Sequence, residues 1–116
     1  MAQQPVIYHN PRCKKSREAL NALKEKGYDP EVIKYLDHPP TPDELKEVLK
    51  KADLKVDQVI RKEEKLYKEQ YKGKELSEDD WLKVLNENPR LIQRPLVVYG
   101  ERACLARPME EMDKIL

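Results

Sequence analysis

The sequence predicts an α/β domain, a small mixed sheet flanked by helices, in the order β-α-β, a helical insert, then β-β-α. Three observations carry this. Two apolar runs, residues 6–8 and 31–36, bracket a stretch with helical spacing. A long middle segment has helix caps and apolar stripes at helical spacing. Two further β-runs meet at Gly100-Glu101 near the end of the chain. At 116 residues the chain supports one core and one domain, 1–116, with the helical insertion at about 41–90.

"VIY" at 6–8 is a short apolar run ended by the turn-forming "HNP", as a buried strand is. Ala19, Leu20, Ala22 and Leu23 then recur at helical spacing, and Gly27 is placed to stop that helix. "EVIKYL" (31–36) reads as the second strand. Strand, helix and strand within about 30 residues form a βαβ unit, which makes the two strands parallel with a right-handed crossover. In "TPDELKEVLKKA", Thr41 is an N-cap, Pro42 takes the first helical position and Glu44 completes a capping box. Leu45, Val48, Leu49 and Ala52 form the apolar stripe of that helix. Residues 56–71 are less regular, with Val56, Val59 and Ile60 before a charge-rich segment. Ser77 caps a further helix carrying Trp81, Leu82 and Leu85, and Glu78, Asp79 and Asp80 suit its positive end. Leu96–Tyr99 and Arg102–Leu105 form a hairpin in which Gly100-Glu101 fits a type II′ turn. Met109, Met112, Ile115 and Leu116 predict a terminal amphipathic helix. This order is compatible with a thioredoxin-like domain enlarged by a helical insertion.

Composition excludes several functions. Charged residues make up 39 % of the chain, yet 23 Lys+Arg nearly balance 22 Asp+Glu, so no net field favours nucleic acid or a membrane surface. The start "MAQQPVIYHN" lacks the basic segment and long apolar run of a signal peptide, and no apolar run approaches bilayer length. Cys13 and Cys104 make at most one bridge, too thin a framework for a secreted domain of this size. The expectation is a soluble cytoplasmic protein with reduced thiols. His9 and His38 are the only histidines, and with two distant cysteines they show no metal-ligand spacing. His38, in "DHPP", reads as a turn residue. Three glycines leave no Gly-rich phosphate loop.

The chemistry gathers in "YHNPRCKKSREAL". Cys13 follows a strand and precedes a helix, where free N–H groups and the helix dipole stabilise a thiolate. Arg12, Lys14, Lys15, Arg17 and His9 lie close in sequence and favour the anion further. The alternative is a small thiol filling space at a strand end, but its neighbours here are polar or basic. Lys14 and Lys15 read simply as a solvated face. Three positions beyond Cys13 stands Ser16, so the site has no local disulfide partner. Its adduct must be resolved by Cys104 or by an outside thiol, and Cys104, in apolar "RACLA", reads as a quiet sheet residue. Arg61, Arg94 before Pro95, and Arg107 before Pro108 stand at element boundaries. Their guanidinium groups suit forked hydrogen bonding to a tetrahedral oxyanion. Taken singly, each reads equally as half of a surface ion pair.

"IYHNPRCKKSREAL", "LIQRPLVV" and "ARP", with "YLDHPPTPDELKEVL" between them, resemble the glutaredoxin-dependent arsenate reductase family over nearly the whole chain. The resemblance implies a thioredoxin-like fold and reduction of arsenate to arsenite at one cysteine. It implies no bound cofactor, with glutathione as co-substrate and glutaredoxin as partner. By motif, Cys13 is the nucleophile, His9 favours its thiolate and Ser16 is a hydrogen-bond donor to sulfur, with Arg17 supporting. Arg61, Arg94 and Arg107 match the oxyanion arginines, and Pro95 stands where thioredoxin-like folds carry a cis proline. Two other functions fit the same fold. One is a thiol protein acting on another oxyanion or on glutathione mixed disulfides. The other is a non-enzymatic redox-linked transcription adaptor, a family that typically keeps the C-x-x-C absent here.

Overall fold

The computed structural model describes residues 4–116. Strand β1 (Val6–His9) leads through a tight loop into helix α1 (Lys14–Glu25), which returns to strand β2 (Glu31–Lys34). Helices α2 (Pro42–Ala52), α3 (Lys65–Gln70) and α4 (Glu78–Glu87) follow, with short 3₁₀ turns at Val56–Val59 and Pro89–Leu91. Strands β3 (Leu96–Tyr99) and β4 (Arg102–Leu105) form a hairpin, and a 3₁₀ segment, Met109–Lys114, ends the chain. The sheet order is β2-β1-β3-β4, with β1 parallel to β2 and antiparallel to β3. This is the mixed sheet of a thioredoxin-like fold.

Alternation along the strands splits the core between the two faces of the sheet. Ile7, Val97 and Cys104, cross-strand neighbours in register, face α1 and the last segment with Ala19, Leu23, Met112 and Ile115. Tyr8, Leu96 and Ala103 face the other way, onto Leu45, Leu49, Leu82 and Leu85 of the helical insert. Tyr67 and Tyr71 lie against Trp81, with ring centroids 6.3 and 5.6 Å away, which holds α3 onto α4.

The local signals act as expected. Thr41 Oγ1 accepts from the Glu44 N–H at 3.1 Å while Glu44 Oε1 accepts from the Thr41 N–H, also at 3.1 Å. Ser77 Oγ accepts from the Asp80 N–H at 3.2 Å. Gly27 adopts φ +92° just past α1, and the Tyr28 and Gly27 N–H groups close on the Leu23 and Lys24 carbonyls in a Schellman cap. Gly100 has φ +62° while Glu101 does not share the left-handed region, as a type II′ turn requires.

Two expectations need correction. The second strand stops at Lys34, because the Asp37 and His38 N–H groups both turn back onto the Lys34 carbonyl. Tyr35 and Leu36 therefore leave the sheet, Tyr35 inward and Leu36 outward. The final helix is 3₁₀, opened by an i→i+3 bond from the Glu111 N–H to the Pro108 carbonyl. Six residues span less than two α-turns, and only Met112 and Ile115 reach the core while Met109 stays exposed. No helix among the described residues is long and apolar enough to cross a membrane.

The capping box of α2 gives a direct stability test. Thr41→Ala removes the acceptor for the Glu44 N–H and should cost about 1 kcal/mol in urea unfolding, with an unchanged denaturant slope.

Candidate active site

The sheet gathers separate parts of the chain at one end. Cys13 follows β1, and Tyr35 follows its parallel neighbour β2, where His9 pairs with Lys34. Because β3 runs antiparallel to β1, with Tyr8 opposite Leu96, Arg94 and Pro95 enter at that same end. Arg107 leaves β4 there too: Leu105 faces Leu96, and the Ala106 N–H donates to the Pro95 carbonyl at 2.9 Å. The Arg94–Pro95 and Arg107–Pro108 bonds are both cis. Arg61 arrives by a bridge between Ile60 and Ile92, its own N–H bonded to the Leu91 carbonyl at 2.7 Å.

The loop from His9 to Cys13 is held almost entirely by its own polar groups. Asn10 Oδ1 accepts from the Arg12 N–H at 3.0 Å, and the Asn10 carbonyl accepts from the Cys13 N–H at 3.0 Å. Ser16, fully buried, accepts the Asn10 N–H on Oγ at 3.0 Å and lies 2.6 Å from His9 Nδ1. Arg17 Nη1 donates to the Pro11 carbonyl at 2.9 Å. Cys13 is thereby fixed as the N-cap residue of α1, with φ −94° and ψ 121°, half-buried and without a formed side-chain capping bond.

Burial pushes the Cys13 thiol up. The Ser16 N–H, the Arg94 guanidinium and the Lys15 N–H together outweigh it, so the thiol ionises below its ordinary value. These sources differ from the expected ones in three ways. His9 is pushed toward its neutral form: burial first, then Lys34, Arg17 and Lys24, hold its pKa down, and its contact is with Ser16. Ser16 acts on the sulfur through its backbone N–H, its hydroxyl being engaged with His9 and Asn10. Lys14 and Lys15 are exposed, and Lys15 contributes only its N–H.

The three arginines are placed unequally. Arg94 bears directly on Cys13. Arg61, its side chain 14 % exposed, pairs with Glu63 at 3.3 Å and Glu64 at 3.6 Å, so the oxyanion arginine of the sequence already has carboxylate partners. Arg107 Nη1 donates to Gln93 Oε1 at 3.3 Å, beside Arg94 in the chain. Two further residues of the site carried no separate signal in the sequence. Asn10 shapes the loop, and "HNP" shows only a turn former. Tyr35 lies within the influence of Arg94, Asn10, Arg61 and Cys13, yet in "EVIKYL" it looks like one more strand residue. Cys104 sits on the opposite face of the sheet from Tyr35, and burial pushes its thiol up to about 12.

A cysteine at the N-terminus of the first helix, its thiol pKa lowered beside an Arg-Pro turn of the neighbouring strand, defines a thioredoxin-like thiol protein of the oxidoreductase type. Comparison with known proteins narrows that class. The chain belongs to the ArsC family, whose family model matches residues 8–115. It is 40 % identical to the arsenate reductase of Neisseria meningitidis serogroup A over 112 residues, 95 % of this chain and 96 % of that relative. It is 42 % identical to the uncharacterized protein YfgD of Escherichia coli K12, covering 100 % of this chain and 99 % of that one. The solved structure of an arsenate reductase from Vibrio cholerae superposes with a TM-score of 0.95 at 43 % identity, covering 100 % of both chains.

The two thiols should behave oppositely. Iodoacetamide at neutral pH, read by mass spectrometry, should modify Cys13 alone in the folded protein and both cysteines in denaturant. The Arg94 guanidinium lowers the Cys13 pKa, so Arg94→Gln should raise it. The thiolate absorbance near 240 nm and the alkylation rate should then both rise at higher pH than in the wild type. Because its folded pKa is depressed, the Cys13 thiol stabilises the fold fully above its unfolded pKa, and that contribution is lost as pH falls through the folded pKa.

Proposed function

We propose that this chain reduces arsenate to arsenite, with Cys13 as the nucleophile and glutathione and glutaredoxin as reductants. The observation that carries the reading is the inequality of the two cysteines. Cys13 is drawn toward its thiolate beside Arg94, while Cys104 is buried on the other face with its pKa pushed up to about 12. A site with one ionisable thiol forms no internal disulfide, so both electrons for As(V)→As(III) must come from outside thiols. The arsenate reductases among its relatives supply the oxyanion.

In this mechanism the Cys13 thiolate attacks arsenic, an S–As bond forms, and an arsenate oxygen leaves as water after taking up protons. Arg94 neutralises charge at the oxyanion and lowers the pKa of the attacking group, and Arg61 and Arg107 stand at the same sheet end. Glutathione then adds to the arsenic through its thiolate, and a second arsenate oxygen leaves as water after taking up protons. Glutaredoxin takes the glutathione sulfur as a mixed disulfide, leaving the electron pair on arsenic, and hydrolysis frees Cys13. The net change is one arsenate and two thiols converted to arsenite, a disulfide and water. Next to the Cys13 loop runs a groove of about 320 Å³ lined by Asn10, Pro11, Arg12, Lys34 and Asp37 among others. Its Arg12 and Lys34 cations suit the carboxylates of a peptide thiol. The arginines favour an oxyanion over a mixed-disulfide substrate, which carries no charge at its reacting atoms.

The test is a coupled assay of arsenate reduction with glutathione, glutaredoxin and glutathione reductase, followed by NADPH consumption. Cys13→Ser should abolish turnover. Cys104→Ala, which removes the second thiol without burying a hydroxyl, should run close to the wild-type rate. Turnover that survives Cys13→Ser, or that vanishes in a folded Cys104→Ala, would overturn the single-cysteine mechanism.

A further inference from the structure

Among the described residues, three buried side-chain polar atoms make no hydrogen bond: Tyr35 Oη, Arg94 Nε, and Arg61 Nε, which has only its 3.6 Å ion-pair contact with Glu64 Oε1. Two are obligate donors and the third is a phenol. They are also neighbours, for Arg94 and Arg61 both act on the Tyr35 hydroxyl, and so does Cys13. A buried polar group left unpaired costs on the order of 1–3 kcal/mol, and folded proteins retain few. With Arg61 Nε already facing a carboxylate, two donors at the sheet end that carries Cys13, on Tyr35 and Arg94, are left without an acceptor.

Tyr35 is 1 % exposed and belongs to the core cluster on the helical-insert face of the sheet, so its hydroxyl does not reach water. Asn10 is the near polar side chain: its Oδ1 accepts the Arg12 N–H that shapes the Cys13 loop, so toward the phenol it can offer only its amide N–H, and the Tyr35 O–H proton is left without an acceptor. We propose that Tyr35 is a substrate-binding residue whose O–H donates to an oxygen of the tetrahedral oxyanion held beside Cys13 by Arg94 and Arg61. The inference rests on the proposed oxyanion chemistry of the site, and on no particular reductant. Burial dominates the phenol's environment and raises its pKa, while that of the Cys13 thiol is lowered, so the thiol ionises before the hydroxyl does. It is thus a donor that adds no charge, and it discriminates in favour of a ligand with an acceptor oxygen at that point.

Tyr35→Phe removes the hydroxyl and keeps the ring. Two measurements separate binding from architecture. The first is protection of Cys13 from iodoacetamide by arsenate, and by phosphate as a non-reducible tetrahedral anion, titrated in wild type and variant. The second is thermal stability without ligand. Loss of one hydrogen bond to a charged ligand predicts protection weakened by about ten- to a hundred-fold. An unpaired hydroxyl predicts a Tm equal to or above wild type, whereas a structural hydroxyl predicts a lower one. Equal protection in wild type and variant, a Tm that falls with the loss of protection, or no protection of wild type by either anion would each overturn the proposal. Wild type that is protected but never reduces arsenate would overturn the reductase reading and leave the Tyr35 comparison decisive.

Discussion

The site depends on one pairing, the antiparallel contact of β1 with β3. Tyr8 opposite Leu96 sets Arg94 and Pro95 beside the loop that ends in Cys13. A parallel neighbour would have placed the start of that strand at the other end of the sheet. A slip of one residue would exchange Leu96 with Val97 across the faces and bury the wrong side chains on both. The register is therefore enforced by both halves of the core at once, since Leu96 and Val97 belong to different clusters and each is almost fully buried. The electrostatics of the thiol are in this sense a by-product of hydrophobic packing.

That dependence explains which parts were legible in the sequence. Caps and turns are written in adjacent residues: Thr41 with Glu44, Ser77 with Asp80, Gly27 after α1 and Gly100 in the hairpin all act where their neighbours place them. Cys13 belongs with them, because a strand-to-helix junction is visible in a dozen residues. The agents acting on its sulfur are not all local. Proximity in the chain pointed to His9, Arg12, Lys14 and Lys15, but short separation does not aim a side chain. Lysines in the first turn of α1 point into solvent, while Arg94, 81 positions away, is delivered by strand pairing. The same distinction hides Tyr35. Its character comes from the turn at Lys34, which takes it out of the strand just as the chain reaches the site.

His9 and Ser16 show a second limit of reading by residue type. A histidine near a cysteine suggests an ion pair, yet burial beside Lys34, Arg17 and Lys24 makes a second positive charge costly. The 2.6 Å contact with Ser16 instead closes a network that includes the Asn10 N–H and fixes the loop. Rigidity is the contribution: a loop satisfied by its own donors and acceptors holds the Cys13 backbone at the N-cap, so the Ser16 and Lys15 N–H groups are aimed before any substrate arrives.

The two sides of the site follow opposite rules. The loop from His9 to Ser16 spends its polar groups on itself, whereas Tyr35 and Arg94 hold donors in reserve. An oxyanion site needs both. A donor already bonded within the protein must break that bond before it can help a ligand, and the exchange returns little free energy. A donor kept dry and unpaired returns nearly its whole interaction to the ligand, at the expense of a less stable empty protein. The carboxylates at Arg61 limit that expense, for Glu63 and Glu64 neutralise a guanidinium that would otherwise be a buried lone charge. They also set a threshold: an anion must compete with them electrostatically, which favours a ligand of more than one negative charge.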